Sequence, residues 1–157
     1  MMIGISACLG GICCRYDGKM QKVNLLEELL EAEKAVLICP EVLGNLPIPR
    51  VPAEIIGGDG FAVWQGKAKV INRDGEDVTE AFKQGAKLAY QKLKAQNIQI
   101  VILKERSPSC GKSMIYDGSF SGVKVKGYGV AAAYFSMQKI QVYSEEEVPE
   151  LKRQGVL

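Results

Sequence analysis

Three short apolar runs constrain this chain more than anything else in it. Ile3–Ala7, Ala35–Ile38 and Ile98–Leu103 each deliver the chain into a turn-rich loop. Ala35–Ile38 (A-V-L-I) has no polar position, the pattern of a strand buried on both faces. Between the first two runs, Asn24–Lys34 reads as an amphipathic helix, with Leu25, Leu26, Leu29 and Leu30 set among Glu27, Glu28, Glu31 and Glu33. Asn24 suits its N-cap, and Glu27 stands three residues on, where a reciprocal cap needs it. Strand, helix, strand is a parallel crossover unit.

The rest of the chain extends the pattern. Gly44–Gly60 is a long connection rich in Pro and Gly. Phe61–Gln65 and Ala68–Asn72 read as two short strands of a hairpin around Gly66. Val78–Gln96 is the longest helical pattern, with Thr79 or Asp77 to cap it. Gly127–Met137 reads as a buried helix, Ile140–Tyr143 as a last strand, and Ser144–Gln154 as a terminal helix whose first turn is acidic. The expected fold is α/β: three layers, a mainly parallel sheet with flanking helices and a small β-hairpin insertion, Rossmann-like. One domain spanning residues 1–157 is expected, since no repeat or compositional break divides the chain.

Cysteine placement gives this frame its chemistry. There are five cysteines and no histidine in 157 residues. Cys8, Cys13 and Cys14 fall in S-A-C-L-G-G-I-C-C-R-Y-D-G, Cys39 in C-P-E, and Cys110 in S-P-S-C-G. Cys8, Cys39 and Cys110 each follow an apolar run, and ligands of open α/β sheets bind outside the carboxyl ends of the strands. Without imidazole, a metal there takes thiolate or oxygen, and soft thiolates select zinc, cuprous copper or an iron–sulfur cluster. An odd number of cysteines precludes complete pairing within the chain. The N-terminus lacks the charged region of a secretory signal, and no apolar stretch is long enough to span a bilayer. A cytoplasmic protein is therefore expected, where patterned thiols serve metals or catalysis more often than disulfides. The net charge of +2 gives no reason to expect a nucleic-acid polymer or a membrane as partner.

Each candidate has a plainer reading. Cys13, beside Ile12, suits packing. Glu41 lies two residues beyond Cys39, across Pro40; it is either a general base at the same centre or half of a salt bridge. Arg15, Arg50 and Arg106 either hold an anion or bridge to adjacent acids. Asp17-Gly18 and Asp117-Gly118 are ordinary turn dipeptides. Glu54 has a weaker claim, being further from any thiol. Ser107 and Ser109 flank Pro108 before Cys110, and a helix starting after Gly111 would offer free N–H groups to an anion. Neither S-P-S-C-G-K-S nor G-Y-G-V-A has phosphate-loop or dinucleotide spacing. A zinc site from Cys8, Cys14, Cys39 and Cys110 and a metal-free redox-sensing thiol protein both stay open.

Five segments in order carry a resemblance: S-A-C-L-G-G-I-C-C-R-Y-D-G, C-P-E-V-L-G-N-L-P-I-P-R-V-P-A-E, Gly75–Thr79, L-K-E-R-S-P-S-C-G and Y-D-G-S-F-S-G-V. Together they resemble, over essentially the whole chain, a bacterial family once known only as a domain of unknown function and associated with thiouracil desulfurases. The resemblance implies a [4Fe–4S] cluster on three cysteines, with one iron open to the sulfur of a small thiolated heterocycle. It places family cysteines at Cys8, Cys14, Cys39 and Cys110; Cys8, Cys39 and Cys110 are the expected ligands, with Cys14 nearby. Gly44-Asn45 departs from the family's usual Gly-Gly. The implied reaction is non-redox, with Glu41, or a water near Ser107 or Ser109, promoting attack at the thiocarbonyl carbon.

Overall fold

The computed structural model describes residues 2–10 and 24–157, apart from the side chains of Cys8, Asn24 and Leu25. The expectations for Cys13, Cys14, Arg15 and Asp17, and for the thiol of Cys8, lie outside the described residues.

Four strands form the central sheet: β1 (Ile3–Ser6), β2 (Ala35–Ile38), β5 (Ile100–Leu103) and β8 (Gln141–Ser144). They are all parallel and stand in the order β2-β1-β5-β8, with Ile3 opposite Ala35, Ile5 opposite Ile102 and Val101 opposite Val142. The period-2 alternation of the strands sorts their side chains between two cores. Ile3, Ile5, Ile100 and Ile102 face one side and pack with Leu26 of α1 (Asn24–Glu31) and Leu151 of α6 (Val148–Arg153). Ile38, Val101 and Leu103 face the other and pack with Phe82, Ala86, Ala89 and Leu93 of α4 (Thr79–Ala95) and with Ala131, Ala132 and Phe135 of α5 (Val130–Met137). Helices thus cover both faces, as a sheet of near-continuous apolar strands requires.

The order reverses beside β1, so the carboxyl ends of β1 and β5 flank the topological switch point, where α/β sheets bind ligands. The Ser6 hydroxyl accepts the Lys104 N–H at 3.0 Å and ties the two strand ends together there.

The segment between β2 and α4 differs from expectation. Gly44–Gly60 is not wholly loop: it contains β3 (Ala53–Ile56). Phe61–Gln65 is not a strand. Residues Gly60–Trp64 form helix α3, because Asp59 caps it by accepting the Ala62 N–H at 3.1 Å. The expected hairpin insertion exists with a different partner: β4 (Lys69–Asn72) pairs antiparallel with β3. A second antiparallel pair, β6 (Met114–Tyr116) with β7 (Lys124–Lys126), was not foreseen. The terminal helix begins with a 3-10 turn at Glu145–Glu147, and Ser144 and Glu147 form the capping box. No helix among the described residues is long and apolar enough to cross a membrane.

Cys39-Pro40-Glu41 starts a short helix, α2 (Pro40–Leu43), with Pro40 at its first position. It is wedged against α4 at Gly85, where a Cβ would stand 1.8 Å from the Pro40 carbonyl oxygen. An exposed Gly→Ala change within a helix gains about 1 kcal/mol from propensity. At Gly85 the sign reverses: overpacking of this kind costs roughly 1–3 kcal/mol. Gly85→Ala is expected to lower the midpoint of chemical unfolding and to displace Cys39 and Glu41. A raised midpoint would contradict the packing.

Candidate active site

The carboxyl ends of β1, β2 and β5 open onto a cleft of about 960 Å³. Among the residues lining it are Ser6, Cys39, Glu41, Arg50, Ser107 and Cys110. Cys39 is half-buried at the end of β2, and Cys110 is buried in the loop after β5. Neither is in a disulfide. Cys8 follows β1 in a 3-10 turn, Ala7–Gly10, and its thiol is outside the described residues.

Burial pushes the Cys110 thiol well above its ordinary range. The Ser6 hydroxyl beside it pulls the other way, the negative charges of Glu41 and Cys39 push it further up, and Ser109 opposes them weakly. The two thiols and the carboxylate therefore feel one another electrostatically. Both cysteines can be thiolates together in this pocket only with a cation beside them, so this donor set fits a soft, thiophilic metal centre. Among the described residues no three Cys, Asp or Glu side chains gather closely enough to hold a metal ion. Cys39 and Cys110 supply two soft donors, and β1, which leads to Cys8, lies between their strands.

Glu41 is fixed from one side. Arg50 donates to its Oε2 twice, from Nε at 2.9 Å and from a terminal nitrogen at 2.5 Å. The side chains are 16% exposed for Glu41 and 7% for Arg50, so this is a sheltered ion pair. Oε1 is left facing Ser107, whose hydroxyl donates to it over 3.4 Å. The Ser107 oxygen accepts the N–H groups of Ser109 and Cys110 at 3.1 and 3.0 Å. Those two bonds turn its proton toward Glu41 and fold the loop around Cys110. Ser109 is fully buried; its hydroxyl lies beside the thiol and makes no hydrogen bond of good geometry among the described residues.

No helix follows Gly111, so the expected free N–H groups are absent. The loop instead presents carbonyls to the start of α5: Val130 donates to Pro108 at 2.8 Å and Ala131 to Ser109 at 2.8 Å. Arg50 and Arg106 both take the bridging role, Arg106 with Glu146 at 2.5 Å. Lys104 pairs with Glu145 at 3.2 Å and Lys112 with Glu147 at 2.8 Å, so the acidic triplet also clamps the Cys110 loop. Asp117-Gly118 is a turn, as its composition indicated, with Gly118 at φ +94°. Glu54 does line the cleft, yet it is buried and accepts the N–H groups of Gly118 and Phe120.

Sequence reasoning missed Glu105. It is 3% exposed, and its Oε1 accepts four backbone N–H groups: Lys112 at 2.9, Ser113 at 2.9, Met114 at 3.1 and Arg106 at 3.3 Å. Its own N–H goes to Glu145 Oε2 at 2.7 Å. No periodic signal in K-E-R marks a carboxylate that turns inward to bind its own loop.

Known proteins match this chain over nearly its whole length. Residues 3–147 fit the family described as 2-thiouracil desulfurase. The chain is 47% identical over 150 residues to the uncharacterized protein YbbK of Bacillus subtilis (strain 168), covering 96% of this chain and 99% of that one. It superposes on the solved structure of TudS, a [4Fe-4S]-dependent thiouracil desulfidase, with a TM-score of 0.86 and 41% identity over 99% of each chain.

Glu105 gives the loop a pH dependence. Burial pushes its carboxyl up, and the N–H bonds from Ser113, Met114, Lys112 and Arg106 more than reverse that, leaving it below its ordinary value. A carboxyl depressed in the folded state stabilises above its unfolded pKa, about 4.3, and loses that stabilisation as pH falls through the folded one. The amides of Lys112, Ser113 and Met114 are expected to lose protection from hydrogen exchange in acid, below the ordinary carboxylate range. Glu105→Gln should remove that dependence and cost about 2 kcal/mol, the scale of hydrogen bonds to a charged group. Equal protection in the variant at neutral pH would dismiss Glu105 as the anchor.

Proposed function

The chain belongs to the 2-thiouracil desulfurase family, and from that premise we propose that it hydrolyses the C=S bond of a small thiolated nucleobase or a similar thiocarbonyl compound. The carrying observation is the meeting of Cys39, Cys110 and an arginine-fixed Glu41 in one cleft at the strand ends. Water replaces sulfur at the carbon, C=S and H₂O becoming C=O and H₂S, with no net electron transfer.

Cys8, Cys39 and Cys110 would hold a [4Fe–4S] cluster, one from each strand-end loop, leaving Cys14 outside the ligand set. When bound, that cluster supplies an electrophilic iron for the substrate's sulfur. The chain's own residues do the rest. Arg50 occupies Oε2 of Glu41, so Oε1 is the oxygen that takes a proton from the attacking water. Ser107 fixes where that oxygen points, because its two backbone donors leave its proton aimed at Glu41 Oε1. Ser109, buried beneath the loop, serves the sulfur of Cys110 rather than the water. Arg50 is a positioning residue: it fixes which carboxylate oxygen is basic and which way it points.

Protein reconstituted without air is expected to contain iron and acid-labile sulfide, and to release sulfide and uracil in equal amounts from 2-thiouracil. Glu41→Gln should keep its iron while turnover falls about 10²–10⁴-fold, the usual weight of a general base. Cys39→Ser and Cys110→Ser should each lower the iron content. Undiminished turnover in Glu41→Gln would remove that residue from the mechanism. A colourless protein that holds zinc after anaerobic purification would remove the cluster.

A further inference from the structure

Two side chains of the cleft have no part in the chemistry above. Arg73 follows β4, and Phe120 lies in the turn between β6 and β7; both line the same cleft as Cys39 and Cys110. The Arg73 guanidinium stands 5.9 Å from the centre of the Phe120 ring, within cation–π range.

Their state of pairing sets them apart. Among the described residues four cations line the cleft: Arg50, Arg73, Lys104 and Arg106. Arg50 is paired with Glu41, Lys104 with Glu145 and Arg106 with Glu146. The acids are engaged as well: Glu54 and Glu105 spend their carboxylates on backbone N–H groups. Among the described residues Arg73 makes no ion pair, and its main chain is fixed by its N–H to the Pro52 carbonyl at 2.8 Å. Of these four it is the one without an ion pair, its guanidinium lying over the Phe120 ring.

Phe120 is held in an unusual conformation. Its φ is +56°, a region that large side chains rarely adopt. Buried Glu54 holds it there, with Oε1 accepting the N–H groups of Gly118 at 2.9 Å and Phe120 at 3.2 Å. A buried carboxylate is thus committed to presenting one aromatic ring on the cleft wall. Among the described residues the other aromatics lining the cleft are Tyr116 and Phe82, and Phe82 is 2% exposed within the core. At about 960 Å³ the cleft lies near the upper end of small-molecule sites, with room beyond a single ring.

We infer that Phe120 and Arg73 form the substrate-recognition wall, which takes a planar thiolated heterocycle bearing an anionic substituent: the ring stacks on Phe120 and the anion pairs with Arg73. This rests on the desulfurase reading and narrows its substrate class. Stacking is tolerant of ring identity, whereas a guanidinium selects charge.

The test compares 2-thiouracil with its 6-carboxylate. The wild type is expected to show a higher kcat/KM on the carboxylated compound. In Arg73→Gln the ratio of the two kcat/KM values should collapse toward one, a loss of about tenfold or more for a charge-assisted pair. Arg73→Lys should recover part of it. Phe120→Ala should raise KM for both compounds about tenfold with a smaller change in kcat, and Phe120→Tyr should restore it. Calorimetry with uracil-6-carboxylate, which has no sulfur to lose, reads the same wall without turnover, and Arg73→Gln should weaken that binding. Equal kcat/KM for both thio-compounds in the wild type, or calorimetric affinity unchanged in Arg73→Gln, overturns the inference. Absence of sulfide release from either compound, with tight Arg73-dependent binding of the carboxylate, would sink the desulfurase reading and leave this wall standing.

Discussion

The buried carboxylate of Glu105 holds the Cys110 loop in shape. One oxygen gathers four backbone N–H groups from Arg106 and from Lys112 to Met114, and so closes the loop on itself. Without that acceptor, four part-buried donors would need other partners, at a cost of up to about 1–3 kcal/mol for one left buried and unsatisfied. The loop in turn presents the carbonyls of Pro108 and Ser109 to the first turn of α5. Thiol position, helix start and strand end are therefore fixed by one ionised group. The same residue is tied through its N–H to Glu145, which links the Cys110 loop to the last strand.

Charge elsewhere in the molecule is arranged for placement more than for stability. Lys104, Arg106 and Lys112 meet Glu145, Glu146 and Glu147 in order. Their exposure differs widely: Glu145 is 6% exposed at its side chain and Glu146 56%. Pairs as open as Arg106–Glu146 are worth at most about 1 kcal/mol. The sheltered Lys104–Glu145 pair is the one that fixes geometry. Arg50–Glu41 follows the same logic within the cleft, where a carboxylate held from one side has a single oxygen left for chemistry.

The central sheet was legible in the sequence because its two inner strands are buried on both faces and its helices carry clear apolar stripes. Runs such as A-V-L-I and I-V-I-L have few alternative structures. The intervening region was harder. F-A-V-W has the composition of a strand, and the Asp59 cap decides for helix. Ala53–Ile56 lay hidden among prolines and glycines, and its pairing with Lys69–Asn72 is a long-range fact that no local pattern encodes. At the site, Cys39, Cys110, Glu41 and Ser107 could be picked out because turn formers surround them. Arg50 could be named but its partner could not, since the Glu41 contact spans a proline-rich loop. Glu105 and Phe120 lie within segments that carry the resemblance, and Arg73 lies outside them, but nothing in the sequence says what any of the three side chains meets.

The two antiparallel pairs share no hydrogen-bonded strand with the central sheet. The thiols and Glu41 hang from the sheet, whereas Arg73 and Phe120 hang from the smaller pairs. Substitutions at Arg73 and Phe120 alter the outer wall without removing a hydrogen bond of the parallel sheet. Over evolutionary time such a division of labour lets a lineage exchange its diet of molecules while inheriting its reactive centre intact.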